Sequence, residues 1–216
     1  MTFWPKSLKM PSNANKPVIA VDIDEVLSYF AESFVAFSNK KWGTKLKPDD
    51  FDEHWAEIWK VDYAEENRRA HIIRETMEFN KFRPREGADV VLKHLKKRYI
   101  LVVVSSRHSG LYKETTEWLE KHFDGLFKEI RFAGIWDDLE MSTLHKLKLT
   151  KAEVLKEIGA DYLIDDHPKH CFAAAEAGIT ALLFGDYRWN RDVKLKPNMV
   201  RAKTWQDVQE YFDSPR

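Results

Sequence analysis

Acidic residues follow two short apolar segments, at positions where a sheet would bring them together. Asp22 and Asp24 come after the run VIAV at 18–21, and Asp165 and Asp166 follow YLI at 162–164. A carboxylate can attack phosphorus to form an acyl phosphate, and a second carboxyl group can protonate the leaving oxygen and then activate water. Asp22 and Asp24 can supply these two roles, although aspartates in such positions also serve as turn or helix-capping residues.

Three further residues can hold a phosphoryl group. Ser105 ends the apolar run 99–104, and its hydroxyl and the following N–H of Ser106 can bind a phosphoryl oxygen. Lys151 begins a helical segment and can place its ammonium against phosphate as a point charge. The adjacent Asp165 and Asp166 repel each other unless a cation lies between them, and Mg²⁺ prefers such hard oxygen ligands. Each of these residues also has an ordinary structural role. Ser105 can be an N-cap, Lys151 a solvated surface lysine, and Asp165 with Asp166 a pair of solvated turn residues.

Short apolar runs alternate with stretches of helical periodicity, which is typical of a parallel sheet with crossover helices. The runs predict six strands, at 18–21, 99–104, 130–132, 162–164, 180–184 and 199–201. Helices are predicted at 114–123, 151–158, 170–177 and 204–212. Open α/β sheets bind ligands at the carboxyl ends of their strands, and all the candidate residues fall at that edge. Because the candidate residues converge on one edge, a shared catalytic site is favoured over separate turn, capping and surface roles for each residue.

An insertion of different composition separates the first two predicted strands. Residues 28–82 are rich in aromatic side chains and contain no β-like run, and their spacing predicts three or four helices. We interpret them as a helical cap over a core formed by 18–27 and 83–216, preceded by a disordered leader at 1–17. Four cap aromatics have the shape to stack on a nucleotide base, but packing in the cap's own core is the preferred interpretation for each. These are Phe30, Phe34, Trp42 and Trp55.

The composition argues against several functional classes. Lys plus Arg and Asp plus Glu both total 35, so no overall field attracts a nucleic acid polymer or an anionic membrane. With Cys171 as the only cysteine, neither an intramolecular disulfide nor a cysteine-based metal site can form. The eight His residues lack zinc-ligand spacing, and the apolar runs are too short to span a bilayer. We therefore expect a cytoplasmic monomer or homodimer that binds a small phosphorylated substrate.

The order of the candidate residues resembles the haloacid dehalogenase superfamily of phosphohydrolases. Its motifs are an Asp-x-Asp at the end of the first strand, a Ser or Thr ending a later strand, a lysine and an acidic pair. They correspond here to Asp22 and Asp24, Ser105, Lys151, and Asp165 with Asp166. The resemblance spans residues 18–184 and implies an α/β fold, a Rossmann-like parallel sheet flanked by helices with a small helical cap after the first strand.

The resemblance also implies a role for each motif residue. Asp22 would be the nucleophile and Asp24 the general acid and base, a combination that favours a phosphatase over a dehalogenase. Mg²⁺ would be bound by Asp22, the backbone carbonyl of Asp24, and Asp165, with Asp166 assisting directly or through water. The phosphoryl group would be held by Ser105, Ser106 and Lys151.

Within the superfamily, the chain is similar to the deoxyribonucleotidase-like group of cytosolic and mitochondrial 5′-nucleotidases. The similarity lies in the helical insertion and in the runs at 83–107 and 151–191, although Glu25 stands where many relatives have Gly. It implies a phosphomonoesterase acting on a nucleoside monophosphate. A phosphatase of sugar phosphates or other metabolites and a non-catalytic binding module remain alternatives. Arg107 and His108, just after the serines, are candidates for substrate contact, a helix start or the surface.

Overall fold

Six parallel strands form one sheet in the computed structural model, which describes residues 16–133 and 149–215. The strands are β1 (Val18–Val21), β2 (Ile100–Ser105), β3 (Glu129–Phe132), β4 (Tyr162–Asp165), β5 (Thr180–Phe184) and β6 (Met199–Ala202). Their order in the sheet is β3-β2-β1-β4-β5-β6. Every predicted strand is present with bounds that differ by at most one residue, and the predicted fold class is confirmed. Residues 1–15 of the predicted leader lie outside the described residues.

Helices connect the strands and fill the insertion. They are α1 (Phe30–Trp42), α2 (Trp55–Trp59), α3 (Tyr63–Thr76), α4 (Ala88–Leu95), α5 (Tyr112–Phe123), α6 (Lys151–Glu157), α7 (Pro168–Glu176) and α8 (Trp205–Asp213). Short 3-10 helices lie at Pro48–Asp50, Phe79–Lys81 and Ser109–Leu111. Over residues 16–133 and 149–215, no helix combines the length and apolar character needed to cross a membrane.

Helices cover both faces of the sheet. Successive strand residues point to opposite faces, so Ile19 and Val21 of β1 pack with α4, α5, α8 and the insertion, whereas Ala20 packs with α6 and α7. All three residues are fully buried. Burial on both faces explains why the central strands are continuous apolar runs, and each buried Val or Ile contributes about 1.5–3 kcal/mol. The carboxyl ends of these strands are therefore firmly positioned.

Aromatic side chains form the interior of the insertion. Phe34 is fully buried, and its ring centroid lies 4.9 Å from that of Trp55 and 5.3 Å from that of Trp59. Trp42 contacts the same Trp59 ring at 5.0 Å, and the Phe30 ring lies 5.9 Å from Phe34. The four aromatics considered for base stacking therefore belong to one cluster around Phe34 and Trp59, with Phe30 and Phe34 buried and Trp42 and Trp55 partly buried, so packing within the insertion is the role that the contacts support.

The two linkers of the insertion run side by side. Ser28 forms a β-bridge with Pro84, and the backbone N–H of Arg85 donates to the carbonyl oxygen of Leu27 at 2.7 Å. The guanidinium of Arg85 lies 3.7 Å from the ring centroid of Tyr29, which adds a cation–π contact. The insertion thus leaves and rejoins the core at one place, just beyond the carboxyl end of β1.

Candidate active site

The register of the sheet brings the predicted site residues to one edge. Val21 of β1 pairs with Ile164 of β4, so Asp22, just after β1, and Asp165, the last residue of β4, lie at the same level. The N–H of Asp22 donates to the carbonyl oxygen of Ile164 at 3.0 Å. Ser105 ends β2, on the other side of β1. The strand order reverses around β1, and open α/β sheets bind ligands in the crevice at such a point.

Three carboxylates and one ammonium group form a buried cluster at this edge. One oxygen from each of Asp22, Asp165 and Asp166 lies within 4.8 Å of the others. The Nζ atom of Lys151, on the first residue of α6, lies 2.9 Å from Asp22 Oδ1 and 2.7 Å from Asp165 Oδ2. The Lys151 side chain is only 2% exposed. Lys151 is therefore an internal counterion of the nucleophile candidate rather than a solvated surface residue.

The positive charge of Lys151 does not balance this cluster. Burial raises the pKa of Asp22 to about 7 despite the attraction of Lys151, and burial also raises the pKa of Asp166 well above its ordinary value. Burial would lower the pKa of Lys151, but the attraction of Asp165 and Asp22 outweighs it and the pKa lies above its usual range. Carboxylate oxygens that carry excess buried negative charge fit a divalent cation such as Mg²⁺. Asp22, Asp165 and Asp166 are the groups that would hold it.

The loop after β5 supports Asp166. Trp189 Nε1 donates to Asp166 Oδ2 at 2.8 Å, and Asn190 Nδ2 donates to the Asp166 carbonyl oxygen at 2.8 Å. Asn190 is fully buried, and it also donates to the carbonyl oxygen of Phe184 and accepts from the N–H of Tyr187. These bonds tie the loop to the acidic pair. The sequence analysis missed this support because nothing in the local pattern marks Trp189 or Asn190 as neighbours of Asp166.

The side chain of Asp24 binds Arg107. Arg107 Nη2 lies 2.6 Å from Asp24 Oδ1, and Arg107 Nε lies 2.9 Å from Asp24 Oδ2. The Ser28 hydroxyl lies 3.2 Å from Asp24 Oδ1. Arg107 is buried, so of its three suggested roles neither a surface position nor a helix start describes it. His108 precedes the 3-10 helix Ser109–Leu111, and its ring nitrogen accepts from the N–H of Gly110.

The two candidate serines occupy different environments. Ser105 is buried, and its Oγ accepts the backbone N–H of Arg107 at 3.1 Å. Ser106 Oγ is also buried, and it has no hydrogen-bond partner among the described residues. Leaving a buried hydroxyl unpaired costs about 1–3 kcal/mol, so Ser106 offers a group that a ligand oxygen can satisfy.

Glu25 links the loop after β1 to the insertion. Its backbone adopts a left-handed conformation with φ of 62°, which glycine would adopt with less strain. Its carboxylate accepts the N–H of Ala31 at 2.7 Å near the start of α1 and pairs with Arg85, while its carbonyl oxygen accepts from the Tyr187 hydroxyl at 2.7 Å. Many relatives have Gly at this position, so the Glu25 carboxylate adds bonds to Ala31 in α1 and to Arg85 after the insertion, whereas the bond to Tyr187 uses a backbone carbonyl that Gly would also offer.

The insertion also contacts the core beside the acidic pair. The Phe51 ring lies 5.7 Å from the Trp189 ring, and Trp189 in turn binds Asp166. Glu53 lies 3.5 Å from Lys169 Nζ in the first turn of α7. Residues 51–53 thus approach the carboxyl ends of β4 and β5 from the side of the insertion.

The fold is that of haloacid dehalogenase-like hydrolases, and it carries an Asp-x-Asp loop after β1 and an acidic pair at the end of β4. The chain belongs to the family described as 5′ nucleotidase, deoxy (Pyrimidine), cytosolic type C protein, whose sequence model matches residues 16–213. It is accordingly a phosphoric monoester hydrolase.

Solved structures share this fold at low sequence identity. A haloacid dehalogenase-like family hydrolase from Streptococcus pneumoniae is 14% identical with a TM-score of 0.67, covering 91% of this chain and 98% of that one. A HAD-superfamily hydrolase of subfamily IA from Geobacter sulfurreducens is 17% identical with a TM-score of 0.59, covering 93% and 98%. YfnB of Bacillus subtilis, described as a HAD hydrolase and solved with magnesium bound, is 13% identical with a TM-score of 0.59, covering 93% and 100%. A comparison with curated proteins found no significant match.

Proposed function

We propose that the protein is a Mg²⁺-dependent phosphomonoesterase that cleaves nucleoside monophosphates through an aspartyl-phosphate on Asp22. The observation that carries the proposal is the buried contact of Asp22 with Lys151, beside Asp165 and Asp166. The family description supports a nucleotide as substrate, and it makes deoxyribonucleotides with pyrimidine bases the first to test. The magnesium bound to YfnB supports the choice of cation.

The reaction would run in two steps on the aspartate pair. A carboxylate oxygen of Asp22 attacks phosphorus, the bond from phosphorus to the ester oxygen breaks, and Asp24 gives its proton to the departing oxygen. The nucleoside leaves as a neutral alcohol. Water then attacks the same phosphorus, Asp24 takes a proton from that water, and the bond from phosphorus to Asp22 breaks. Inorganic phosphate leaves, and Asp22 returns to its carboxylate form.

The remaining residues would bind and orient the reacting groups. The ammonium of Lys151 favours the ionised form of Asp22 and offers positive charge to the phosphoryl group. The hydroxyl of Ser105 and the backbone N–H of Ser106 are proposed to bind phosphoryl oxygens. When bound by Asp22, Asp165, Asp166 and the carbonyl oxygen of Asp24, Mg²⁺ would neutralise charge on the transferring group.

A panel of phosphomonoesters assayed for phosphate release, with Mg²⁺ and with chelator, tests the proposal. We expect Mg²⁺-dependent release from nucleoside monophosphates that is lost in Asp22→Asn, because an amide is a poor nucleophile and a poor cation ligand. Full activity of Asp22→Asn would disprove the covalent mechanism. A preference for sugar phosphates would favour a metabolite phosphatase, and binding without turnover of any substrate would favour a non-catalytic module.

We further propose that residues 28–82 are a cap that selects the substrate, while residues 18–27 and 83–216 form the catalytic core. The contacts of residues 51–53 beside Asp166 support this division. Replacing the cap by a short glycine linker should reduce nucleotide cleavage more than cleavage of nitrophenyl phosphate. The milder Phe51→Ala should act in the same direction. Equal losses for both substrates would show that the insertion does not select the substrate.

We also propose a cytosolic location, which is supported by the cytosolic type of the family and by the single cysteine. Imaging of the tagged full chain tests the location, and accumulation in another compartment would contradict it. Analytical ultracentrifugation would distinguish a monomer from a homodimer.

A further inference from the structure

Arg107 holds the Asp24 carboxylate in a fixed orientation. Its Nη2 and Nε atoms each face one of the two carboxylate oxygens, at 2.6 Å and 2.9 Å. Such two-point contacts between a planar guanidinium and a planar carboxylate restrict the direction as well as the position of both groups. The Ser28 hydroxyl adds a contact to Asp24 Oδ1 from the start of the insertion.

The Arg107 side chain is itself held by contacts with α5 and with two aromatic rings. Its Nη1 donates to the hydroxyl of the fully buried Thr115 in α5 at 3.2 Å. Its guanidinium lies 5.5 Å and 5.7 Å from the ring centroids of Phe79 and Phe82, and the side chain is only 3% exposed. To reach a substrate phosphate, Arg107 would have to leave all these partners, including the Asp24 carboxylate. The contacts therefore favour a role that is exerted through Asp24.

The two carboxylate oxygens of Asp24 have different numbers of hydrogen-bond donors. Oδ1 accepts from Arg107 Nη2 and from the Ser28 hydroxyl, with Arg107 Nε at a longer 3.2 Å. Oδ2 accepts from Arg107 Nε alone among the described residues. Since a carboxylate offers about four lone-pair sites over its two oxygens, Oδ2 keeps one with which to exchange a proton.

We propose that Arg107 is a positioning residue that presents Oδ2 of Asp24 to the leaving oxygen in the first step and to the attacking water in the second. This inference rests on the proposed function, because it needs Asp24 to act as acid and base. Arg107 exchanges no proton and contacts no substrate. The general acid must approach the leaving oxygen within hydrogen-bond distance, so losing the two-point contact should reduce the first step wherever that oxygen needs a proton.

The test measures single-turnover rates on a nucleoside monophosphate and on nitrophenyl phosphate, whose leaving group departs as an anion. Arg107→Met should slow nucleotide cleavage by about 10²-fold, a loss that misplacing a reacting group by about 1 Å can cause. The nitrophenolate burst should change little. Asp24→Asn should show the same selectivity, and adding Arg107→Met to Asp24→Asn should cause no further loss, because Arg107 acts only through the Asp24 carboxylate.

Arg98→Met is a matched control, because Arg98 also contacts a carboxylate, Asp213, and an aromatic ring, that of Tyr99, but lies before the amino end of β2, away from the site. It should leave the ratio of the two substrate rates unchanged. If Arg107→Met folds poorly in a thermal melt, Arg107→Lys keeps the charge without the two-point contact, and Thr115→Val removes only the bond to Nη1. Both should reproduce the selectivity for the nucleotide to a smaller extent.

Several outcomes would overturn the inference. Equal losses on both substrates with a raised KM would make Arg107 a phosphate-binding residue. Losses of Arg107→Met and Asp24→Asn that multiply in the double variant would show that Arg107 does not act through Asp24, while the proposed function would stand. If Asp24→Asn left both substrates unaffected, the acid and base assignment would fail and this inference with it.

Discussion

Replacing Lys151 by Met should cost the protein stability as well as activity. The Lys151 side chain is 2% exposed, and its ammonium is shared by Asp22 and Asp165, whose carboxylates would otherwise face each other in a buried site. Removing one partner of a buried ion pair costs about 3–5 kcal/mol, because the charge that remains is unpaired. For a domain of this size, each 1 kcal/mol shifts Tm by about 2–4 °C, so in chelator Tm should fall by roughly 6–20 °C.

Thermal unfolding followed by circular dichroism, in chelator and then in Mg²⁺, measures the effect. Mg²⁺ should raise the Tm of Lys151→Met more than that of the unchanged protein, since the cation neutralises the same carboxylates. Phosphate release should stay low even in saturating Mg²⁺, because the ammonium proposed to face the phosphoryl group is missing. Lys93→Met is the control: Lys93 lies 2.9 Å from Asp89 in an exposed pair, and such pairs contribute only about 0–1 kcal/mol.

Two results would refute this reasoning. If Lys151→Met and Lys93→Met had the same Tm in chelator, Asp22 and Asp165 would not carry the buried charge on which the calculation depends. If Mg²⁺ raised the Tm of the unchanged protein and of Lys151→Met equally, the cation would not bind at these carboxylates. Either result would also remove the main support for the metal site proposed here.

Two further predictions concern the carboxylates. Asp24→Asn should release one equivalent of nitrophenolate in a burst and then stall with phosphate on Asp22, since losing a positioned general base costs about 10²–10⁴-fold in rate. Intact-mass analysis should detect the adduct, and steady turnover without a burst would contradict the assignment. Asp165→Ala should raise the Mg²⁺ concentration needed for half-maximal activity far more than Asp161→Ala, which alters a carboxylate that bonds the N–H of Val18 beyond the other end of β4. Equal shifts in the two variants would mean that the wrong acidic residues had been assigned.

The sheet was predictable because its strands are buried on both faces and read as continuous apolar runs. The run VIAV at 18–21 and the run TALLF at 180–184 coincide with β1 and β5. Once the strands were assigned, the convergence of Asp22, Ser105 and Asp165 at one edge followed from parallel topology alone. The position of Lys151 at the start of the helix before β4 suggested that its ammonium could lie near the carboxylates, whereas its burial is evident only from the packed structure.

The supporting contacts of the site were not predictable from local pattern. Arg107 and Asp24 are separated by 83 positions in the chain, and nothing near Arg107 indicates that its partner is a carboxylate in another loop. Trp189 reads as an ordinary loop aromatic until the end of β5 places it beside Asp166. Glu25 looked like a neutral departure from Gly, whereas its bonds to Ala31 and Arg85 depend on how the insertion folds back. Each of these contacts depends on tertiary packing.

The paired linkers of the insertion have an evolutionary consequence. Because Ser28 bridges Pro84 and the N–H of Arg85 bonds the carbonyl oxygen of Leu27, the 56 positions between Leu27 and Pro84 begin and end within one hydrogen bond of each other. A gene segment coding for such a unit can lengthen, shorten or be exchanged while the strands on either side keep their spacing. Mutations that alter which compound is recognised can therefore accumulate separately from those that alter the carboxylate chemistry. Duplicated copies of one gene could in this way diverge toward different phosphate esters.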